Sequence, residues 1–195
     1  MGKILLGPST QVYPMPVLVI GANVNGKPNF MTAAWGGVAN GEPPMISVAI
    51  RPHRHTHKGI IQNSTFSVNI PSVDQVKEAD YCGTVSGAKK NKAEVCKFNI
   101  FYGKLGNAPL IEQCPINLEC KLVETVKLNS HSLFIGQVEE THISESCLTY
   151  GEPDVKKINP LIFTDKPARF YHAFGQVVGK GFSAGLELKK NNNRR

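Results

Sequence analysis

Short apolar runs broken by turn residues set the rhythm of this chain, and several of them place apolar side chains at every second position. In residues 65–70, Phe66, Val68 and Ile70 alternate with polar neighbours, the period of a strand buried on one face. Residues 17–24 and 28–35 flank Asn25-Gly26, a strong hairpin turn signal, and 45–50 reads as a third strand. Residues 116–126 and 133–143 are long runs in which β-branched residues interleave with charges, with Ser130-His131-Ser132 at the turn between them. A final apolar element, 160–171, carries Leu161, Ile162, Phe163, Phe170 and Tyr171. Helix signals are few. Thr56 starts a short predicted helix over 56–63 and is placed to cap it. Ser72 with Gln75 forms a capping-box signature that opens a second helix running to about Cys82. Residues 83–92, with Gly83, Gly87 and three lysines, read as a loop, and Gly36-Gly37 reads as another. Evenly spaced strands with few helices predict a mainly β fold, a closed antiparallel barrel or a sandwich. No internal repeat or linker marks a second domain, so residues 1–186 are expected to form one domain, with a basic, disordered tail over 187–195.

Composition narrows the classes. A chain of 195 residues, 41% hydrophobic and 19% charged, has the ordinary balance of a globular domain. No apolar run approaches the roughly 20 residues of a membrane helix, and the N-terminus is too short in aliphatics for a signal peptide, so a cytoplasmic protein is expected. The cysteines, Cys82, Cys96, Cys114, Cys120 and Cys147, are odd in number and contain no C-x-x-C pair, which favours buried free thiols over a disulfide framework. Cys114 and Cys120 bracket the start of an apolar strand and leave a redox pair open. The net charge of +7 falls to +3 without Lys189, Lys190, Arg194 and Arg195. What remains concentrates in residues 51–58 and 89–92, and two local clusters suit a small phosphorylated ligand better than a nucleic-acid track.

Three segments could carry chemistry. Pro28-Asn29-Phe30-Met31-Thr32-Ala33-Ala34-Trp35 sets small residues beside a hydroxyl, an amide and the one tryptophan. Short side chains let backbone approach a flat ligand, while Asn29 and Thr32 can orient it by hydrogen bonds. A strand ending on a core tryptophan would show the same letters. Arg51-Pro52-His53-Arg54-His55-Thr56-His57-Lys58 leaves a strand and enters a helix, where unpaired N–H groups and guanidinium forks suit an anion. A solvated basic turn fits as well. Histidines 53, 55 and 57 would share a face in extended chain, yet no carboxylate or cysteine stands near to complete a metal site, and none is expected. Ser86-Gly87-Ala88-Lys89-Lys90-Asn91-Lys92 is a Gly-flexible loop ending in a cation. There is no Gly-x-Gly-x-x-Gly after a strand, no Walker loop and no nucleophile elbow.

Asn29, Thr32 and Trp35 resemble the first half of the flavin site in the flavin reductase-like, FMN-binding split-barrel family, and the chain is most similar to its flavoredoxin branch. The similarity runs from about Gly7 to about Gly185, with further matching segments at 51–58, 66–70, 86–92, 131–138 and 160–163. The resemblance implies a six-stranded antiparallel Greek-key split barrel with a few short helices, binding one FMN noncovalently in each subunit of a homodimer. It implies a phosphate held by Arg51, Arg54, Thr56 and Lys92, with the Ser86 loop closing over it. The flavin ring would lie along Asn29, Thr32, Ala33, Ala34 and Trp35, with His131 as a tuning residue and Phe163 packing nearby. Asn91 stands where the family usually has an acid, so a salt bridge there is in doubt. On this resemblance the chain moves electrons between a donor and an acceptor, either a redox protein or NAD(P)H; the alternative is an NAD(P)H-dependent flavin reductase. A pyridoxamine-phosphate-oxidase-like or haem-binding relative would keep the barrel and change the ligand. A basic β-barrel that binds single-stranded nucleic acid is the remote alternative, weakened by an aromatic content of 8%. Neither membrane nor nucleic acid is an expected partner.

Overall fold

The computed structural model describes residues 2–186 and 188, so the expected tail lies outside the described residues except at Leu188. The first elements are β1 (Met15–Pro16), β2 (Leu18–Val24), β3 (Lys27–Ala33), β4 (Gly36–Gly41) and β5 (Pro44–Ile50), then α1 (His55–Asn63) and β6 (Thr65–Ile70). A 3-10 turn, Val73–Gln75, leads into α2 (Val76–Thr84), followed by α3 (Lys92–Val95), β7 (Ile100–Phe101) and β8 (Leu110–Ile111). Two long strands, β9 (Ile116–Lys127) and β10 (Ser132–Ile143), precede the small hairpin β11 (Leu148–Thr149) and β12 (Glu152–Pro153). The described chain closes with α4 (Val155–Ile158), β13 (Ile162–Thr164) and β14 (Phe170–His172).

The main sheet is antiparallel with order β3-β2-β6-β9-β10-β5-β4. Asn25 (φ 51°) and Gly26 (φ 75°) both take the left-handed region, which a type I′ hairpin demands, so this two-residue turn sets the β2–β3 register. The sheet has seven strands where six were expected. Six of them, from β3 round to β5, form a row whose ends meet: β3 contacts β5, and the Ala49 N–H donates to the Trp35 carbonyl at 2.8 Å. The seventh, β4, is the outer arm of a hairpin with β5 and contains Gly36-Gly37. Glycines carry no side-chain pattern, so a strand built on them reads as loop. The gap they leave is used, since a Cβ on Gly36 would stand 2.8 Å from Leu18 Cδ1.

Two apolar clusters share β2. Leu18, Ile20 and Ala22 point into the barrel with Met31, Val48, Ile50, Phe66 and Phe134. Val17 and Val19 point outward against Ala79 and Cys82 of α2, together with Phe30 and Leu161. A strand covered on both faces reads as an unbroken apolar run, which is how residues 17–20 look. Ile60 carries α1 into the barrel core, and Gly59 lets the helix settle on β2, because a Cβ there would lie 2.4 Å from the Asn23 carbonyl oxygen. Ser72 and Gln75 do form a capping box, with the Ser72 N–H donating to Gln75 Oε1 at 3.0 Å, although the first turn is 3-10 and the helix runs to Thr84. The expected final element is a hairpin, β13 with β14, and β13 also pairs with β1. All five cysteines are free thiols, and burial pushes Cys114 and Cys120 up to about 12.

Candidate functional site

The α1 entry, the end of β3 and the 83–92 segment meet in space. Thr56 was expected to cap α1; Arg54 occupies the cap position instead, and Thr56 lies one residue inside the helix, 1% exposed. Its hydroxyl has another task. Asn29 Nδ2 donates to Thr56 Oγ1 at 2.6 Å, which occupies one lone pair of the oxygen, fixes the hydroxyl and leaves its hydrogen to donate. Gly87 packs on the same asparagine so tightly that a Cβ would fall 1.7 Å from Asn29 Oδ1.

Lys92 is buried, at 4% exposed, and its ammonium donates to the Cys82 carbonyl at 2.9 Å and the Val85 carbonyl at 3.0 Å. Both oxygens belong to the C-terminal end of α2, where a cation meets the negative end of the helix dipole. Two of its three hydrogens are thereby placed and one remains. Burial lowers the Lys92 pKa, and an anion alongside would favour the charged form again. Thr56, Lys92, Arg54, Ser86, Gly87 and Met31 line a small recess of about 70 Å³, whose lining contains no carboxylate.

A second, longer groove of about 210 Å³ runs on from Met31 and Arg54 along Thr32, Ala33, Ala34 and Trp35, with Arg51, His131 and Phe163 on its other sides. Arg54 is steadied between the two spaces by donating from Nη1 to the Gly83 carbonyl at 3.3 Å. Trp35 is 38% exposed and is not core; its ring lies 4.8 Å from that of His131 at a 34° tilt. Burial, then the nearby Arg51 and His53, lowers the His131 pKa, so the imidazole is neutral at pH 7 and Arg51 is the fixed cation at that end. Thr32 Oγ1 donates to the Ala79 carbonyl, which ties the groove wall to α2. Phe163 leans on Tyr171, ring centroids 5.2 Å apart.

The predicted residues therefore fall into two adjoining groups. Arg54, Thr56, Ser86 and Lys92 line the recess; Thr32, Ala33, Ala34, Trp35, Arg51, His131 and Phe163 line the groove, which Arg54 also borders. Arg51 lines the groove and not the recess, whereas Arg54, Thr56 and Lys92, with which the resemblance grouped it, line the recess. Asn29 bonds to Thr56 and is in the lining of neither the recess nor the groove. The three histidines do not share a face, because helix begins at His55: His57 Nε2 pairs with Ser132 Oγ at 2.9 Å, while His53 precedes the helix. Asn91, standing in the acid's place, caps α3 by accepting from the Glu94 N–H at 3.4 Å. Sequence reasoning missed Met31, which borders both spaces, since an apolar residue on a strand carries no sign of ligand contact. It also missed Tyr171, whose hydroxyl donates to Asp80 at 3.0 Å beside the groove.

A mostly β barrel with a cationic recess at the mouth of a shallow groove defines a class, and the comparisons agree on which. The flavin reductase-like domain model matches residues 10–167, and the chain belongs to that family. It is 40% identical to the flavoredoxin from Methanosarcina acetivorans, with a TM-score of 0.92 over 96% of this chain and 100% of that one. The flavoredoxin of Desulfovibrio vulgaris is 35% identical, with a TM-score of 0.88 over 94% of this chain and 100% of its own. An FMN-binding protein from Thermus thermophilus is 25% identical, with a TM-score of 0.77 over 92% and 99% of the two chains. Within the family, the chain stands with the flavoredoxins.

Proposed function

We propose that this protein binds one FMN noncovalently in each subunit of a cytoplasmic homodimer and passes electrons through it between a donor and an acceptor, as a flavoredoxin-like carrier. The observation that carries the proposal is the join between recess and groove. A groove walled by short side chains and the Trp35–His131 pair, with Arg51 and Asp165 also in its lining, leads past Arg54 to a carboxylate-free recess holding a Thr56 hydroxyl and the Lys92 ammonium. FMN has that polarity, a flat ring at one end and a phosphate dianion at the other. The tight backbone approach at Gly87 and the preset Thr56 hydroxyl suit a phosphate, which takes hydrogen bonds from neutral and charged donors together.

In this proposal Thr56, Lys92, Arg54 and Ser86 hold the phosphate, Asn29 aims Thr56, and Thr32, Ala33, Ala34 and Trp35 back the ring. Bound FMN would supply the electron-accepting ring that the protein's own side chains lack. Arg51 would offer positive charge, and His131 a neutral hydrogen-bonding group, to a ring that gains negative charge when reduced. Phe163 and Met31 exclude water from the groove walls. A flavin reductase accepting hydride from NAD(P)H is the second reading. Supporting it is a space of about 380 Å³ beside the groove, lined by Thr32, Ala34, Arg54, Phe163 and Tyr171, room for a second planar ligand.

The test is a visible spectrum of the purified protein, then anaerobic NADH and NADPH. A yellow protein that NAD(P)H does not bleach supports the carrier. Rapid bleaching supports the reductase. A colourless protein that takes up no added FMN would overturn both.

A further inference from the structure

Three thiols share the outer apolar cluster: Cys82 and Cys114 are buried in it, and Cys96 packs against it. Lys92 ties two of them to the recess. Its ammonium donates to the Cys82 carbonyl at 2.9 Å, and its own carbonyl accepts from the Cys96 N–H at 3.0 Å. Cys82 lies in the last turn of α2, and Cys96 follows α3 as its C-terminal cap, so the pair brackets the 83–92 segment from both ends. Their side chains meet, with the Cys82 S–H donating to the Cys96 sulfur. Burial raises both thiols, Cys82 to about 12, while the Lys92 cation draws both back. Cys82 is 1% exposed, whereas Cys96 is half-buried and reachable from solvent. One reachable sulfur backed by one sheltered sulfur is the arrangement in which an oxidised cysteine is resolved by its neighbour.

We infer that Cys82 and Cys96 form a reversible disulfide by exchange with a low-molecular-weight disulfide, and that the bond clamps the 83–92 segment and tightens the hold on the flavin phosphate. The step balances without the flavin. The Cys96 thiolate attacks one sulfur of the small disulfide, and the first small thiolate leaves with the electron pair of the broken S–S bond. That thiolate takes up the proton given by Cys96. Cys82 then loses its proton and attacks the Cys96 sulfur, and the second small thiolate leaves and takes up that proton. One small disulfide is reduced to two thiols while two cysteines are oxidised to one disulfide. Ser86, Gly87 and Lys92, which line the recess, all fall inside the closed ring. Fewer open arrangements of the segment then compete with the one that meets a phosphate. The pairing and the clamp stand on their own, and only the gain in affinity rests on the FMN proposal.

The experiment incubates the full chain with oxidised glutathione or with dithiothreitol, then measures free thiols, cross-linked peptides, tryptic cleavage and FMN affinity on both forms. Oxidation should remove two of the five free thiols and join Cys82 to Cys96, and dithiothreitol should reverse it. Trypsin should cut after Lys89 and Lys90 at least about fivefold more slowly in the oxidised form. The FMN dissociation constant should fall at least about fivefold. Cys96→Ser should bind FMN as the reduced native chain does and lose no thiol to the oxidant. In Cys82→Ala, glutathione should stay attached to Cys96, because the resolving sulfur is gone. An unchanged thiol count, a link from Cys82 to Cys114 instead, or a cross-linked protein cleaved at the old rate overturns the inference. A clamped form that binds FMN no more tightly overturns the coupling to the recess. Failure of both forms to bind FMN, with cross-link and protection in place, overturns the FMN proposal and the coupling together and leaves the clamp standing.

Discussion

Replacing Gly87 by alanine tests the link between the 83–92 segment and the phosphate recess. The new Cβ would lie 1.7 Å from Asn29 Oδ1 and 2.8 Å from its Cγ, where carbon contacts ordinarily sit at roughly 3.5 Å or more. One of two groups must yield. If Asn29 turns away, it gives up its 2.6 Å bond to Thr56 inside a buried site. That loss is worth about 1–3 kcal/mol, on top of about 1–3 kcal/mol of overpacking. If the loop moves outward, stability is largely spared, since Ser86, Ala88, Lys89 and Lys90 are exposed. The second path costs less, so the damage should appear in ligand binding. A displaced loop withdraws donors from the phosphate, and one hydrogen bond to a charged group is worth about 1.5–3 kcal/mol, tenfold or more in affinity. The assay pairs a thermal melt of the flavin-free protein with FMN titration followed by fluorescence. The melting temperature should fall by less than about 4 °C, while the FMN dissociation constant rises at least about tenfold. Gly41→Ala, where an added Cβ meets nothing within 4 Å, is the control. Unchanged FMN affinity in Gly87→Ala would show that the loop does not contribute to the recess.

Thr56→Ala and Lys92→Met should each raise the FMN dissociation constant about tenfold to a hundredfold with circular dichroism unchanged; normal flavin content in both would sink the phosphate assignment. Trp35→Ala removes the half-exposed ring beside His131 and should change the fluorescence of bound flavin; an unaltered signal would place the flavin elsewhere. Acid should weaken the fold early. His55, His57 and His131 all titrate below the ordinary 6.5, chiefly through burial, so the unfolded chain takes up protons that the folded chain refuses. Stability is then full above that value and declines as pH drops below it towards the lowered folded values. The urea midpoint should fall between pH 7 and pH 5; a midpoint that held or rose would contradict the assignment.

Much of the fold could be read from local pattern. Asn25-Gly26 announced its hairpin because two adjacent left-handed residues need those side chains, and Phe66, Val68 and Ile70 announced β6 by their spacing. Ser72 and Gln75 announced their capping box. The failures were equally local in origin. Gly36-Gly37 hid β4, because a strand without side chains has no period to detect. Thr56 looked like a cap because hydroxyls favour helix starts, but the cap position falls two residues earlier, at Arg54. The alternating histidines suggested one face only so long as the chain was taken as extended.

The sequence by itself determined the class of fold, the two basic clusters, and the segment of small residues that ends on Trp35, since each is carried by neighbours along the chain. Only the tertiary structure decided their use. Asn29 and Thr56 are 27 positions apart and meet at 2.6 Å; His131 and Trp35 meet from either side of the end of β5; Lys92 spends two of its hydrogens on α2 and keeps one for the recess. Hydrogen bonds and ring contacts depend on distances of a few ångströms, and those are set by how strands register and helices settle, not by position in the chain.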